Sequence, residues 1–265
     1  MKTEYVYATE MSDPVMNWPA VDRVINEGHP VILYSKATLP IDYLKDKSNV
    51  AIGITISGWG GTWLEPNVFA PNVMIDYFNK LIKEIPIERV LLRVDPVIPT
   101  TEGFLRALRV IKGIVGKPRV ISSIIQYYSG HEKIFHKLGI SRMITYKEKH
   151  GRALFPKKIV AEMWIDCVKK TRPDLDITLC GMPYEVEGAI HDGCVNENLL
   201  RALSVEEFVA IEPGFQRPGC KCVIKKRQIY LGRCNHGCAY CYANKDNARI
   251  IQRSGDEPVR TNDEE

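Results

Sequence analysis

The sequence predicts an α/β fold, a complete or partial (β/α) TIM-type barrel, and three observations carry that reading. Short runs rich in Val and Ile lack polar alternation, as do strands buried on both faces of a parallel sheet. Amphipathic stretches of helical period separate them. The number of such runs, about six to eight, suits a barrel better than a short open sheet. The length of 265 residues also matches one barrel.

In chain order the strand-like runs are Val6–Ala8, Val31–Tyr34, Val50–Ile56, Val90–Val94, Val120–Ile125, Ile177–Cys180, Phe208–Ile211 and Gln228–Leu231. Between them, Asn72–Lys83 sets Val73, Tyr77, Phe78 and Leu81 on one helical face. Glu102–Ile114 does the same with Phe104, Leu105, Leu108 and Ile111, and Lys157–Lys170 with Val160, Met163, Trp164, Cys167 and Val168. Shorter helices are predicted over His131–Leu138, Asn196–Leu203 and Ala243–Gln252, with Ser204 capping a turn at Val205–Phe208. Residues 1–253 read as one barrel-like domain, without internal repeat or low-complexity linker, and 254–265 as a flexible acidic tail.

Composition narrows the function classes. With 45% hydrophobic and 26% charged residues, the chain is an ordinary globular one and not a disordered one. It has no apolar run long enough to span a bilayer, so no membrane partner is expected. The N-terminus lacks the apolar run of a signal peptide, and a cytoplasmic location is expected. Net charge is only +4, but Arg217, Lys221, Lys225, Lys226, Arg227 and Arg233 cluster. Such a cluster permits nucleic-acid contact and equally suits a solvated surface.

The eight cysteines are unevenly spread: Cys167, Cys180 and Cys194 are scattered, whereas Cys220, Cys222, Cys234, Cys238 and Cys241 fall close together. In a reducing compartment clustered cysteines point to metal or redox chemistry rather than disulfides. Cys234, Cys238 and Cys241 form a Cys-x3-Cys-x2-Cys loop with Tyr240 before the last cysteine. Thiolates are soft ligands for Fe–S clusters, zinc or Cu(I). Three on one tight loop can hold three irons of a [4Fe–4S] cube. Zinc is the alternative, with Cys220 and Cys222 supplied as a pair.

This loop resembles the cluster motif of the radical SAM superfamily. The resemblance implies that Cys234, Cys238 and Cys241 bind a [4Fe–4S] cluster, that S-adenosylmethionine binds its open iron, and that an external electron donor starts hydrogen abstraction from a substrate. In that superfamily the motif follows the first barrel strand; here it lies near the C-terminal end, so the resemblance implies a permuted strand order. The segment 214–244, with its upstream Cys-x-Cys and the ending HGCAYCYAN, is similar to a bacterial and phage family of this plan. Arg93-x-Asp95-Pro96 resembles the spore photoproduct lyase branch, which implies a DNA nucleobase, repaired or modified, as substrate.

Other residues complete the expected site. Gly58, Gly60 and Gly61 follow a strand and resemble the segment that binds the methionine amino group of S-adenosylmethionine; a tight loop without ligand is the alternative. Arg93 and Asp95 share one strand face and suit a cofactor carboxylate, a substrate phosphate or each other. Tyr240 is expected beside the cofactor. Gln126, Tyr127, Tyr128, Met182, Tyr184 and Glu185 follow strand ends, and Tyr184 is carried forward as a catalytic candidate. Cys220 and Cys222 support the loop, bind a second metal or return a hydrogen atom to a product radical. Cys167, Cys180 and Cys194 read as buried structural thiols. The rival classes are an electron-transfer or non-catalytic Fe–S or zinc protein and a nucleic-acid-binding module with a structural metal.

Overall fold

The computed structural model describes residues 2–128, 131–140, 146–150, 153–216, 219–229 and 231–241. The expected helix at Ala243–Gln252 and the tail at 254–265 lie outside the described residues, as do Arg217 and the last positions of the 214–244 segment.

Seven parallel strands form one curled half-barrel sheet. They are β1 (Tyr5–Ala8), β2 (Val31–Ser35), β3 (Val50–Thr55), β4 (Val90–Val97), β5 (Arg119–Ile124), β9 (Ile177–Leu179) and β10 (Lys225–Gln228). Their order is β10-β1-β2-β3-β4-β5-β9. The last strand therefore pairs with the first, with Tyr5 opposite Lys225 and Ala8 opposite Gln228. A small antiparallel sheet of β6 (Tyr127–Tyr128), β8 (Ala153–Pro156) and β7 (Tyr146–His150) branches after β5 and has no counterpart in the predicted elements.

Helices cover the outer face: α1 (Trp18–Asn26), α2 (Ile41–Leu44), α3 (Pro71–Glu84), α4 (Thr101–Gly113) and α6 (Lys158–Thr171). α5 (Glu132–Lys137) and α7 (Glu197–Ala202) are short. Strand alternation divides the core. Val31 and Leu33 of β2 face the helices with Phe78, Leu81 and Trp164, while Ile32 and Tyr34 face inward with Leu91 and Ile121. Caps fix the helix starts: Thr100 accepts from Gly103 N at 3.0 Å and Asn196 from Leu199 N at 3.0 Å.

Several elements differ from the sequence reading. The helices stand where expected, and Phe78, Leu81, Ile111, Trp164 and Val168 are buried as predicted, but the edges of the buried faces are turned. Val73, Leu105 and Met163 are exposed, and Met74, Ala107, Val110 and Ile165 are buried instead. On α4 the buried positions are Gly103, Ala107, Val110 and Ile111, and Leu105 lies off that face. β10 begins three positions before the apolar run Gln228–Leu231, because register with β1 selects the polar Lys225–Gln228. Phe208–Ile211 supplies only a single bridge, Phe208 to Thr3, rather than a strand. Ser204, with φ +60°, closes α7 instead of opening a turn. Among the described residues no helix is long and apolar enough to cross a membrane.

Candidate active site

Strands running in one direction end at one rim, so the segments that follow them meet there. A cavity of about 400 Å3 opens at this rim. Asp13 reaches it after β1, Ser35 and Lys36 from β2, Thr55 from β3, Arg93 and Asp95 from β4, and Gln126 and Tyr128 after β5. From the far side of the sheet order, β10 brings Lys226 and Gln228 and leads into the loop of Cys234, His236, Cys238, Tyr240 and Cys241. The bond from Ile229 N to Ala8 O, 2.9 Å, carries the chain from β10 toward that loop.

Two buried carboxylates clamp the cysteine loop. Asp13 meets His236 Nε2 at 2.7 Å and accepts from Lys36 N at 2.7 Å and Ser35 Oγ at 2.9 Å. Glu65, 1% exposed, accepts from Ser57 Oγ at 2.7 Å, pairs with Lys36 Nζ at 2.7 Å and receives the Tyr240 hydroxyl. Backbone bonds add Ala239 N to Leu64 O at 2.9 Å, while the Asn67 amide donates to Asn235 O at 2.8 Å. Burial works against the Lys36 charge, but Glu65 and Cys238 outweigh it and raise its pKa. Burial, then Glu65, raises the Tyr240 phenol.

Burial favours the protonated form of two of the loop thiols, Cys234 and Cys238. Burial pushes Cys238 up to about 12 against the pull of Lys36, and burial also raises Cys234. A metal's charge is what removes such protons. Among the described residues no three His, Cys, Asp or Glu side chains stand in a ready-made metal geometry. The donor set nevertheless suits a soft metal group: three thiols of one short loop line one cavity.

Arg93 and Asp95 pair on the inner face of β4, and Ser123 donates to the same carboxylate. The guanidinium lies 4.6 Å from the centre of the Tyr34 ring. Burial opposes its charge, and Asp95 more than restores it. Arg93 Nε and the Tyr34 hydroxyl are buried without a hydrogen-bond partner, and both residues line the cavity. An anionic group beside them would satisfy both donors.

Other sequence candidates sit elsewhere. Gly58, Gly60 and Gly61 do not line the cavity. A Cβ on Gly60 would lie 2.0 Å from Phe69 O, so this glycine serves a close backbone approach within the turn that carries Glu65. Tyr184 bonds Pro156 O at 2.7 Å and packs in the outer core. Tyr127 belongs to a separate core cluster and donates to Glu132. Cys220 lines the cavity, whereas buried Cys222 turns away to Cys194, 3.2 Å between sulfurs. A zinc site joining Cys222 to the loop thiols is not the arrangement found. The basic cluster is largely engaged within the chain: Lys226 pairs with Glu10 at 2.6 Å, Lys221 with Glu185 at 2.8 Å, and Arg227 with the Tyr5 hydroxyl at 2.7 Å.

Sequence reasoning did not single out Asp13, Lys36 or Glu65. A Pro following each acid, in Asp13-Pro14 and Glu65-Pro66, is the faint local signal that both sit at turns.

No curated protein matches the chain. Among solved structures, a spore photoproduct lyase variant is 12% identical with a TM-score of 0.41, covering 56% of this chain and 50% of its own. The chain thus spans half the length of that relative. Aspergillus clavatus Sph3 in complex with GalNAc is 12% identical, covering 84% of this chain and 94% of its own, with a TM-score of 0.27. The carboxyl transferase domain of Rhizobium etli pyruvate carboxylase is 11% identical, covering 95% and 46%, with a TM-score of 0.28. Likenesses of this size say nothing of the chemistry. The sequence family is another matter: the match runs over residues 29–243, from β2 through the cysteine loop, and the chain belongs to the family described as Domain of unknown function (DUF1848).

Proposed function

We propose that this chain is a radical SAM-like enzyme whose cysteine loop holds a [4Fe–4S] cluster beside S-adenosylmethionine. One observation carries the reading. Cys234, Cys238 and Cys241 line a rim cavity together with the unsatisfied donors of Arg93 and Tyr34. Cys234, Cys238 and Cys241 would hold the cluster, and Arg93 would take the carboxylate of S-adenosylmethionine. When bound, these groups supply reductive sulfonium cleavage and hydrogen abstraction, driven by an external electron donor.

The chain's own residues position and enclose. Asp13 holds His236 and Glu65 holds Tyr240, so the loop is pinned on both sides of Cys238. Asp95 fixes the Arg93 fork. A volume of about 400 Å3 admits no duplex, so a nucleobase substrate would enter flipped out or single-stranded.

The test is anaerobic reconstitution followed by iron and sulfide counting and an assay for 5′-deoxyadenosine after reduction with S-adenosylmethionine. About four irons per chain and reductant-dependent 5′-deoxyadenosine are expected. Stoichiometric zinc on the loop, or full iron retention in Cys238→Ala, would overturn the proposal.

A further inference from the structure

Four thiols from three separate stretches converge inside the half-barrel. Cys180 directly follows β9, Cys194 precedes α7, and Cys220 and Cys222 precede β10. All four are buried. Cys194 Sγ lies 3.2 Å from Cys222 Sγ. Cys220 and Cys222 stand two positions apart on one stretch, and all four cysteines belong to one buried cluster.

The surrounding backbone is shaped to bring them together. Gly193 has φ +76°, and a Cβ there would lie 2.4 Å from Lys221 O. Gly219 has φ +75°, and a Cβ there would lie 3.0 Å from the Gly181 carbonyl carbon. Each glycine adjoins one of the cysteines, and the backbone it touches adjoins another. Two donors point at the sulfurs: Lys226 Nζ is 3.7 Å from Cys194 and Gln216 Nε2 is 3.9 Å from Cys220. The Lys226 side chain is 5% exposed and also pairs with Glu10 at 2.6 Å.

We propose that Cys180, Cys194, Cys220 and Cys222 bind one Zn2+ ion at a second, structural site, separate from the loop of Cys234, Cys238 and Cys241. Four soft donors with no open position describe a structural tetrathiolate site. Spacing selects a single ion over a cluster. At a Zn–S bond of about 2.3 Å, tetrahedral sulfurs stand about 3.8 Å apart. The Cys194–Cys222 pair, at 3.2 Å, needs a small outward move. A cube would place each thiolate on a different iron and spread them much wider. The sulfurs are not already drawn around one point. Binding would replace the Cys194–Cys222 contact: each S–H bond that is present gives up its proton as a Zn–S bond forms. The ion would tie β9, α7 and the approach to β10 across the open side of the half-barrel. It would also occupy Cys220 and so remove it from hydrogen transfer.

The full chain, purified from zinc-supplemented medium, should hold one zinc per chain that survives dialysis. Cys194→Ser with Cys222→Ser should lose that zinc, and Cys234→Ala should keep it. Because the double variant risks unfolding, the unaltered chain gives an independent reading. Iodoacetamide followed by peptide mapping should leave Cys180, Cys194, Cys220 and Cys222 unmodified until a zinc chelator is added. Alkylation of these four in the folded chain without a chelator would overturn the site. So would zinc that leaves with Cys234→Ala, iron on these four sulfurs, or a Cys194–Cys222 disulfide. The proposal stands apart from the loop's cofactor: a chain without cluster iron but with this zinc would sink only the radical SAM reading.

Discussion

His236 Nε2 lies 2.7 Å from Asp13 Oδ2, a contact between positions 223 residues apart in which both side chains are buried. It links the loop after β10 to the loop after β1, two strands distant in sequence that pair side by side in the sheet. Between Cys234 and Cys238, His236 ties the loop to the segment that follows β1.

Replacing Asp13 with Asn should therefore loosen the loop. The loss of a charged acceptor that serves Ser35, Lys36 N and His236 should cost about 1.5–3 kcal/mol. Urea unfolding measures the cost, and iron retained after dialysis of the reconstituted protein measures the loop. An unchanged midpoint together with unchanged iron would show that the clamp is idle.

Glu65 and Lys36 form a more demanding pair. Glu65→Gln leaves the Lys36 ammonium buried without its carboxylate and should destabilise the fold by about 3–5 kcal/mol. Adding Lys36→Met should recover much of that loss, because no uncompensated charge remains. A double-mutant cycle in urea reads the coupling. Additive effects of the two changes would mean that the pair does not interact in solution.

Arg93 can be tested for ligand contact apart from its partner. In an Asp95→Asn background, Arg93→Met should weaken S-adenosylmethionine binding at least tenfold, as expected for one charged hydrogen bond of about 1.5–3 kcal/mol. Equilibrium dialysis with the reconstituted protein gives the Kd. Equal Kd values would confine Arg93 to pairing with Asp95.

Tyr77 supplies a pH signature of the fold. Its hydroxyl donates to Leu39 O at 3.0 Å and accepts from Leu39 N at 2.9 Å. Burial, partly offset by the bond to Leu39, raises the phenol from 10.0 to about 12. The folded state thus holds this proton more tightly than the unfolded chain. The stabilisation is complete below pH 10 and is lost as pH climbs toward about 12. Tyr77→Phe should flatten the decline in unfolding free energy across that window. An identical slope in the variant would dismiss Tyr77 as its source.

The sequence made the inner strands visible because β2 and β3 are buried along their whole length, so nothing interrupts their apolar runs. β10 was read out of place because Lys225–Gln228 is an edge strand with polar side chains, and only its pairing with β1 defines it. Helix positions followed from period, but the rotation of their faces depends on which residues the sheet accepts. Val73 and Met74 are alike in hydrophobicity, and tertiary packing alone separates them. At the candidate site, spacing exposed Cys234, Cys238 and Cys241. Asp13, Lys36 and Glu65 carry no such spacing; the segments after three different strands bring them together. For the same reason Cys180 and Cys194 looked like isolated core thiols until the fold set them beside Cys222.

The attachment of β10 to the free edge of β1 also sets a timetable for biosynthesis. A ribosome emits β1 through β9 first, and these strands pair with neighbours already made, while the outer edge of β1 stays open. The loop bearing Cys234, Cys238 and Cys241 emerges after the other walls of the cavity, and its strand must then close a parallel pairing across nearly the whole chain. Such long-range pairing is slow. Until it occurs, the loop's thiols have neither Asp13 nor Glu65 beside them, so the metal-binding loop takes its final surroundings in one of the last steps of folding.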